Sequence, residues 1–251
     1  MTRIALITGA SRGLGRNTAL AVARGGGDVV LTYRSNAEEA QTVVAEIEAL
    51  GRKAVALQLD TGDVETFPAF VDQLRASLRT IWQRETFDHL VNNAGHGDAA
   101  PIADTTVAQF DRLVDVHFKG VFFLTQALLP LIEDGGRIVN ISTGLTRFAY
   151  PGYAAYAAAK AAVETLSLYM AKEFGARGIA VNTVAPGAIE TDFGGGAVRD
   201  NAQINAHLAG ITALGRVGVA DDIGPMIAAL LGDANRWVNA QRIEVSGGQA
   251  I

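Results

Sequence analysis

The chain has 251 residues, of which 49% are hydrophobic, carries a formal net charge of -5 and contains no cysteine. This composition supports a packed core rather than disorder, excludes disulfides, thiolate zinc sites and a cysteine nucleophile, and disfavours nucleic-acid binding, which usually needs a basic surface. No apolar run approaches the roughly 18–20 residues that cross a bilayer, so we expect a cytoplasmic protein without a membrane span.

Short apolar runs that suit β-strands alternate with helix-like stretches along the whole chain. This alternation predicts a single α/β domain over residues 1–251, a doubly wound parallel sheet with helices on both faces. The predicted strands are Arg3–Thr8, Asp28–Tyr33, Lys53–Leu59, Phe87–Asn93, Gly136–Ser142, 179–187 and 242–248. The predicted helices include 13–24, 37–50, a stretch ending near Arg84, a long stretch over about 107–132, and the segment that carries YAAYAAAK.

The least regular region is 188–219, which contains FGGGAVRDN. It follows the end of a predicted strand, on the side of an open α/β sheet where ligands bind. We therefore expect it to form a mobile lid over the substrate.

The first predicted strand leads into a helix through the turn ITGASRGLG, with glycines at Gly9, Gly13 and Gly15. Glycines let backbone N–H groups approach a pyrophosphate, and the helix N-terminus favours its negative charge. The strand–turn–helix context predicts dinucleotide binding; the alternative is an ordinary glycine-rich turn.

The end of the second predicted strand bears on which dinucleotide binds. NAD-preferring enzymes place an acidic residue there to bind the ribose hydroxyl. Here LTYRSN offers Tyr33, Arg34 and Ser35, and Arg12 lies in the glycine turn. Guanidinium groups suit a phosphate, so these residues predict NADP(H) rather than NAD. The alternative is that both arginines are solvated surface residues.

Asp60 follows the third predicted strand, in LQLDTGD. It could accept a hydrogen bond from an adenine amino group, or it could cap the next helix together with Asp63. The sequence leaves both interpretations open.

Four motifs occur in order along the chain: TGASRGLG, NNAG (Asn92–Gly95), YAAYAAAK (Tyr153–Lys160) and APGAIETD (Ala185–Asp192). Together they resemble the short-chain dehydrogenase/reductase family, and the resemblance covers the whole chain. It implies a Rossmann-fold oxidoreductase that assembles as a homotetramer, with Tyr156 and Lys160 as its catalytic pair. It also implies that the cofactor is held by Gly9, Ser11, Arg12, Gly13, Leu14, Gly15, Asp60, Thr61, Asn92, Ala94, Gly95, Pro186, Gly187, Ile189 and Thr191.

The spacing of YPGYAAYAAAK selects the same tyrosine. Tyr156 has Lys160 four residues later, on the same helix face, whereas Tyr150 and Tyr153 have alanines at that offset. A nearby ammonium should lower the pKa of the phenol and let it exchange a proton with an alcohol or alkoxide. Lys160 should also bind the nicotinamide ribose. Tyr150 and Tyr153 are interpreted as pocket walls or packing residues.

The chain departs from the family pattern at the third catalytic position. The family usually has Ser thirteen residues before the tyrosine, and this chain has Thr143. Threonine keeps the hydroxyl donor, so we expect Thr143 to polarise the substrate carbonyl. Ser142 is the fallback candidate, near the cofactor, although alternation along a strand should turn it to the opposite face.

A second departure is His117, in DVHFKG, where the family commonly has Asn. That Asn supports a proton path to the lysine, and a histidine that titrates near neutrality could take its place. The alternative is a structural histidine that binds one carbonyl.

His96 and Asp98 lie near the predicted pocket rim, and His89 is interpreted as structural. The histidine spacing supports no metal site.

Three functional hypotheses follow. The leading one is an NADP-dependent oxidoreductase acting on a carbonyl or secondary alcohol. The second is a narrower activity of the same type, a 3-oxoacyl-thioester reductase. The third is a cofactor-binding sensor or scaffold without catalysis, against which the intact Tyr156–Lys160 pair argues. Leu145, Phe148, Tyr150, Tyr153 and Phe193 hint at an aromatic-tolerant pocket, but no residue names the small-molecule substrate.

Overall fold

The structure, a computed structural model, describes residues 2–251. Strands and helices alternate as the hydrophobic pattern predicts. The strands are β1 (Ile4–Ile7), β2 (Asp28–Tyr33), β3 (Ala54–Gln58), β4 (Phe87–Asn92), β5 (Ile132–Ile141), β6 (Ala180–Pro186), β7 (Ile189–Glu190), β8 (Gly218–Val219) and β9 (Arg242–Val245). The helices are α1 (Gly13–Arg24), α2 (Ala37–Ala49), α3 (Phe67–Ser77), α4 (Val107–Val114), α5 (Gly120–Leu128), α6 (Ala154–Phe174), α7 (Ala197–Asp200), α8 (Ala202–Gly210) and α9 (Gly224–Leu231).

Seven strands form one parallel sheet in the order β3-β2-β1-β4-β5-β6-β9. The chain runs outward from β1 to β3 on one side and from β4 to β9 on the other. The strand order therefore reverses between β1 and β4, which opens a crevice at the carboxyl ends of these two strands. The predicted doubly wound parallel sheet is confirmed.

The core has two layers, one on each face of the sheet. Alternate residues of β1 face opposite layers: Ile7 packs with residues of α1, α2 and α9, and Leu6 packs with residues of α3, α5 and α6. Because both faces are covered, the central strands are buried at every position, which explains their near-continuous apolar runs. Among residues 2–251, no helix has the length and apolar character needed to span a bilayer.

Three segments differ most from the sequence predictions. The long helix over 107–132 is divided into α4 and α5 by a π-helical turn at Asp115–Lys119, and it ends before Ile132. Strand β5 starts at Ile132 rather than at Gly136, with an irregularity where its pairing with β4 jumps from Ile132 to Arg137. The region 188–219 is more regular than predicted, since it holds α7, α8 and the β7–β8 pair.

Candidate active site

The glycine turn lies at the mouth of the crevice, between β1 and α1. The N–H of Gly9 donates to the Thr32 hydroxyl at 3.1 Å. A Cβ at Gly9 would lie 2.9 Å from Ala94 Cα, and Gly9 has a φ of +63°, so two backbones meet here in a way that a side chain would prevent. The turn is therefore held at a fixed position against β4.

Gly13, in contrast, borders open space. It begins α1 with a φ of +55°, and a Cβ there would meet only Thr191 Cβ, at 3.9 Å. No side chain caps the N-terminus of α1, and its first turn contains no acidic residue. A free helix N-terminus facing open space fits a dinucleotide pyrophosphate. Ser11 and Leu14 flank this space and are both half-buried.

The end of β2 offers positive charge. Arg12, Arg34 and Ser35 are exposed, and Tyr33 is half-buried. Within residues 2–251, neither arginine side chain has an ion-pair or hydrogen-bond partner, so both guanidinium groups are available to a ligand.

Asp60 and Thr61 follow β3. The Asp60 carboxylate is exposed and accepts from the N–H of Gly62 at 2.9 Å, which closes a local turn. The helix-capping role in this segment belongs to Asp63, which accepts from the N–H of Glu65. Thr61 is buried. Asp63, and not Asp60, therefore caps the next helix. The contact with adenine is the interpretation of Asp60 that stays open.

The two asparagines of NNAG have different surroundings. Asn92 donates into the core, to Thr125 Oγ1 at 3.1 Å and to Asn140 Oδ1 at 2.8 Å. Asn93, which the sequence analysis did not single out, donates to the carbonyl oxygen of Thr8 at 2.8 Å and thereby holds the start of the glycine turn. Adjacent residues at a strand end face opposite sides, and this alternation was the available signal.

Residues 94 and 95 follow in the crevice. The N–H of Ala94 donates to Thr8 Oγ1 at 2.9 Å, which ties the end of β4 to the end of β1. Gly95 is exposed, and a Cβ there would lie 2.7 Å from His117 Cε1. The chain therefore passes this point in close contact with the His117 ring.

Pro186 and the residues after it form the opposite wall. Pro186 ends β6 and is buried, and the N–H of Gly187 donates to the carbonyl oxygen of Val245 at 3.1 Å. Ile189 is half-buried in β7. Thr191 lies across the open space from Gly13. This placement suits the role that the resemblance implies for these residues, beside the nicotinamide half of a dinucleotide.

Tyr156 and Lys160 lie one turn apart on α6 and are 6% and 3% exposed. The Lys160 Nζ lies 6.0 Å from the centre of the Tyr156 ring and donates to the carbonyl oxygen of Ile141 at 2.7 Å. That bond ties α6 to the carboxyl end of β5. The structure thus brings the two residues together inside the protein, below the crevice.

Burial dominates the electrostatics of this pair. It raises the pKa of the Tyr156 phenol above its ordinary value, which outweighs the opposing effect of the Thr143 hydroxyl. The sequence analysis expected Lys160 to lower this pKa, and the structure shows the opposite direction. The reason is that burial deprives the charged phenolate of hydration. Burial also lowers the pKa of the Lys160 ammonium, to about 8. Near neutral pH the phenol is therefore protonated and the amine is largely charged.

Thr143 and Ser142 follow β5 and face different partners, as strand alternation predicts. Ser142 Oγ donates to Glu164 Oε1 at 2.7 Å and is thereby engaged with α6. Thr143 Oγ1 accepts from the N–H of Leu145 at 3.3 Å, which leaves its own proton free to donate. Of the two hydroxyls, it is Thr143 that acts on the pKa of Tyr156.

An ion pair that the sequence analysis missed, between Glu164 and Arg242, binds the segment that contains Ser142 and Thr143. Glu164 Oε1 accepts from Ser142, from Thr146 at 2.8 Å and from Arg242 Nε at 2.8 Å. Arg242 also donates from Nη2 to the carbonyl oxygen of Thr143 at 3.2 Å. We call Glu164 and Arg242 the clamp pair. No sequence signal links them, because they lie 78 residues apart.

His117 is fully buried in the π-helical turn between α4 and α5. Its Nε2 lies 2.8 Å from the carbonyl oxygen of His96, and its Nδ1 has no partner among residues 2–251. The His96 N–H also lies 3.4 Å from Nε2, but the contact with the carbonyl oxygen is much shorter and therefore assigns the proton to Nε2. The His117 ring packs edge-on to Tyr156, with centroids 5.0 Å apart.

His117 does not titrate near neutrality as its sequence context suggested. Burial, with a further contribution from Lys160, lowers its pKa to about 2. At neutral pH the ring is therefore an uncharged donor to His96, with a lone pair on Nδ1. Its burial, which sequence alone does not give, is the reason for the difference.

Aromatic rings surround the Tyr156 phenol. Phe193 lies 5.7 Å and Tyr153 lies 6.4 Å from it, between ring centroids. Phe193 also packs on the loop after β4, since a Cβ at Gly97 would lie 2.9 Å from Phe193 Cε1. The segment that begins region 188–219 therefore covers the tyrosine in this structure.

Comparison with known proteins finds similarity to oxidoreductases along nearly the whole chain. The family model described as enoyl-(acyl carrier protein) reductase matches residues 9–250. An uncharacterized oxidoreductase of Methylorubrum extorquens is 36% identical, over 98% of this chain and 97% of its own length.

Two solved structures have the same overall architecture. The promiscuous reductase LugOII, which catalyses keto-reduction at C1 during lugdunomycin biosynthesis, is 40% identical with a TM-score of 0.93, covering 98% of this chain and 96% of that one. The angucycline C-6 ketoreductase LanV, solved with bound NADP, is 33% identical with a TM-score of 0.94, covering 99% of this chain and 95% of that one. The similarity extends over the whole sheet and both helical layers.

Proposed function

Because the chain belongs to the short-chain dehydrogenase/reductase family, we propose that it is an NADP(H)-dependent oxidoreductase that exchanges hydride between nicotinamide and a carbonyl or secondary alcohol, with Tyr156 as general acid or base. The observation that carries the proposal is the buried Tyr156–Lys160 pair at the carboxyl edge of the sheet, beside the Thr143 hydroxyl. The comparison with LanV supports the cofactor, since that ketoreductase was solved with NADP.

The protonation of Tyr156 favours carbonyl reduction. Its raised pKa keeps the phenol protonated at neutral pH, so it can give a proton to the carbonyl oxygen as that oxygen gains negative charge. Thr143, whose hydroxyl proton is free, donates to the same oxygen and polarises the carbonyl. A reduced nicotinamide bound beside these groups would supply the hydride. Proton and hydride together convert the carbonyl to an alcohol.

Lys160 and His117 position these groups. The Lys160 ammonium holds α6 against Ile141 and places a positive charge near the phenol. His117 is neutral, so it acts by supporting the Tyr156 ring and the His96 backbone rather than by carrying a proton as a cation. Its free Nδ1 can accept from a water molecule.

The cofactor would lie across the switch point of the sheet. The open space at Gly13 fits the pyrophosphate, and the unpartnered guanidinium groups of Arg12 and Arg34 fit the phosphate that distinguishes NADP from NAD. Region 188–219 would act as the lid, with Phe193 over Tyr156 in the closed arrangement. We also expect a homotetramer, which size-exclusion chromatography with light scattering would test.

A 3-oxoacyl-thioester reductase is the second candidate. The matching family model supports it only through the acyl-thioester class, because its description, enoyl-(acyl carrier protein) reductase, names reduction of a carbon–carbon double bond rather than of a 3-oxo group. The two activities share every residue above, so only substrate assays separate them. A catalytically silent cofactor-binding scaffold is the third candidate, and it predicts cofactor binding without turnover of any carbonyl.

The test combines binding and turnover. Calorimetry should show tighter binding of NADPH than of NADH at matched ionic strength. Tyr156→Phe should lower carbonyl reduction by at least about a hundredfold while NADPH binding stays unchanged, because it removes only the proton donor. Tyr169→Phe, an exposed position on the same helix, is the matched control. Full activity of Tyr156→Phe would rule out the assigned mechanism, and failure to bind either dinucleotide would rule out the function.

A further inference from the structure

We propose, on the basis of the function above, that the substrate is a neutral carbonyl compound carrying a planar aromatic ring system, recognised by an aromatic strip that leads from the surface to Tyr156. The aromatic strip consists of Tyr150, Tyr153, Tyr156 and Phe193. Such a substrate has a flat, rigid ring face, which a flexible acyl thioester lacks.

The strip is continuous. Ring centroids lie 6.1 Å apart for Tyr150 and Tyr153, 6.4 Å for Tyr153 and Tyr156, and 5.7 Å for Tyr156 and Phe193. Tyr150 and Phe193 are 44% and 43% exposed, whereas Tyr156 is 6% exposed. All three distances fall in the range in which aromatic faces and edges attract each other. Adjacent aromatic rings therefore connect the surface to the Tyr156 ring.

Phe193 lies beside the Tyr156 ring, whose hydroxyl a substrate carbonyl has to reach. The two ring centroids are 5.7 Å apart, so a flat substrate ring placed at the phenol would also contact Phe193. Gly194 and Gly195 follow it, both with positive φ, and a Cβ at either would meet nothing within 4 Å. The outer side of these two glycines therefore borders open space, while Gly194 packs against Gly97 on the other side. A flat aromatic substrate would gain a ring–ring contact with Phe193, whereas a saturated chain would not.

The arginines of the two segments that flank the strip are already paired. Arg147 donates to Glu244 at 2.7 Å, and Arg199 is bound by Asp192 and Asp200. No unpaired cation is therefore contributed by the segments that flank the strip, 144–149 and 192–200, for the phosphate of a carrier-bound thioester. This charge pattern favours an uncharged substrate.

The decisive experiment compares two bicyclic ketones that differ only in aromaticity. In β-tetralone the carbonyl is not conjugated to the ring, and β-decalone has the same skeleton fully saturated, so their carbonyls are similar in reactivity. With NADPH, kcat/KM should be about tenfold higher for β-tetralone, since aromatic contacts add to the burial of surface. Acetoacetyl-N-acetylcysteamine, a short 3-oxoacyl thioester, should be a poorer substrate than β-tetralone.

Phe193→Leu tests the strip itself. Leucine keeps apolar bulk and removes one aromatic face, so the β-tetralone to β-decalone ratio should fall about 2- to 10-fold. The matched control is Tyr169→Leu, which removes an exposed aromatic ring elsewhere on α6 and should leave the ratio unchanged. If Phe193→Leu changed both substrates equally, the proposed recognition would be wrong.

A binding measurement separates recognition from turnover. Calorimetry on the protein saturated with NADPH, which cannot oxidise an alcohol, should show tighter binding of β-tetralol than of β-decalol. Reduction of β-decalone or of the thioester as efficiently as β-tetralone would overturn the aromatic inference and leave the oxidoreductase function standing. Failure to reduce any of the three carbonyls, with β-tetralol bound no better than β-decalol, would overturn both.

Discussion

Arg242 donates from Nη2 to the carbonyl oxygen of Thr143 at 3.2 Å, joining residues 99 positions apart in the sequence. The same guanidinium binds Glu164, which in turn accepts from Ser142 and Thr146. Helix α6, strand β9 and the end of β5 are thereby fixed to one another. We therefore expect the position of the Thr143 hydroxyl relative to Tyr156 to depend on this clamp pair.

Replacing Arg242 should disturb catalysis through Thr143. Arg242→Leu removes one donor to the Thr143 carbonyl, which also accepts from Thr146 Oγ1 at 3.0 Å, and it removes the cation that binds Glu164. We expect kcat to fall about tenfold or more with a smaller change in KM, because small displacements of a reacting group are costly. The free energy of unfolding should fall by about 1–3 kcal/mol. Arg242→Lys, which keeps the charge, should restore part of the kcat. Steady-state kinetics and urea unfolding measure both.

Arg236→Leu is the control for Arg242, since it removes an exposed guanidinium near the start of β9. It should leave kcat and the free energy of unfolding unchanged. A normal kcat in Arg242→Leu would show that the clamp pair does not position Thr143.

Loss of Arg34 should reduce discrimination between the two cofactors. Arg34→Ala should weaken NADPH binding about 10- to 100-fold and leave NADH binding nearly unchanged, because only NADPH carries the additional phosphate. Titration calorimetry at fixed ionic strength gives both affinities. Arg24→Ala, an exposed position at the other end of α1, should change neither. Equal losses for both dinucleotides would mean that Arg34 acts by general charge alone.

Lys160 should make stability depend on alkaline pH. Burial lowers its pKa to about 8 from an ordinary 10.5, so between these values the unfolded chain binds a proton that the folded protein does not. Stability from this group therefore rises with pH across that window. Between pH 7.5 and pH 10, the free energy of unfolding of the parent protein should therefore rise by up to about 3 kcal/mol more than that of Lys160→Met. Urea unfolding of both proteins at the two pH values measures the difference, and a constant difference would contradict the burial of a charged amine.

His117 should make the fold sensitive to acid. Its pKa is about 2 in the folded protein against 6.5 ordinarily, so the unfolded state alone takes up a proton as pH falls below 6.5. Stability is thus lost on acidification. His117→Asn keeps a donor for the His96 carbonyl but has no titrating ring. Between pH 7 and pH 4.5, its free energy of unfolding should fall by about 2–3 kcal/mol less than that of the parent.

His207→Asn is the control, since His207 is exposed on α8. Its unfolding should follow the parent across the same pH range. His117→Asn should also retain carbonyl reduction, because the proposed role needs a neutral donor and no titrating ring. Loss of activity in that variant would point to proton transfer through His117 instead.

Sequence analysis predicted the parts of the site that depend on neighbours in the chain. The Tyr156–Lys160 pair follows from helical spacing, and the open helix N-terminus at Gly13 follows from a strand–turn–helix pattern. The parallel sheet and the family were also predicted and are confirmed. The divided helix around His117 was missed, because a single π-helical turn within a helix carries no capping or turn residue that would mark it in the sequence.

Local pattern and composition, by themselves, determined the fold class, the order of the elements and which tyrosine has a lysine on its helix face. Only the tertiary structure decided that the Asn92 side chain is hydrogen-bonded in the core while Asn93 holds the glycine turn. It also decided that Glu164 and Arg242 form an ion pair and that Phe193 packs against Tyr156. It also decided the pKa directions of Tyr156 and His117. Burial and contacts between distant segments set these properties, and neither is encoded in the spacing of adjacent residues.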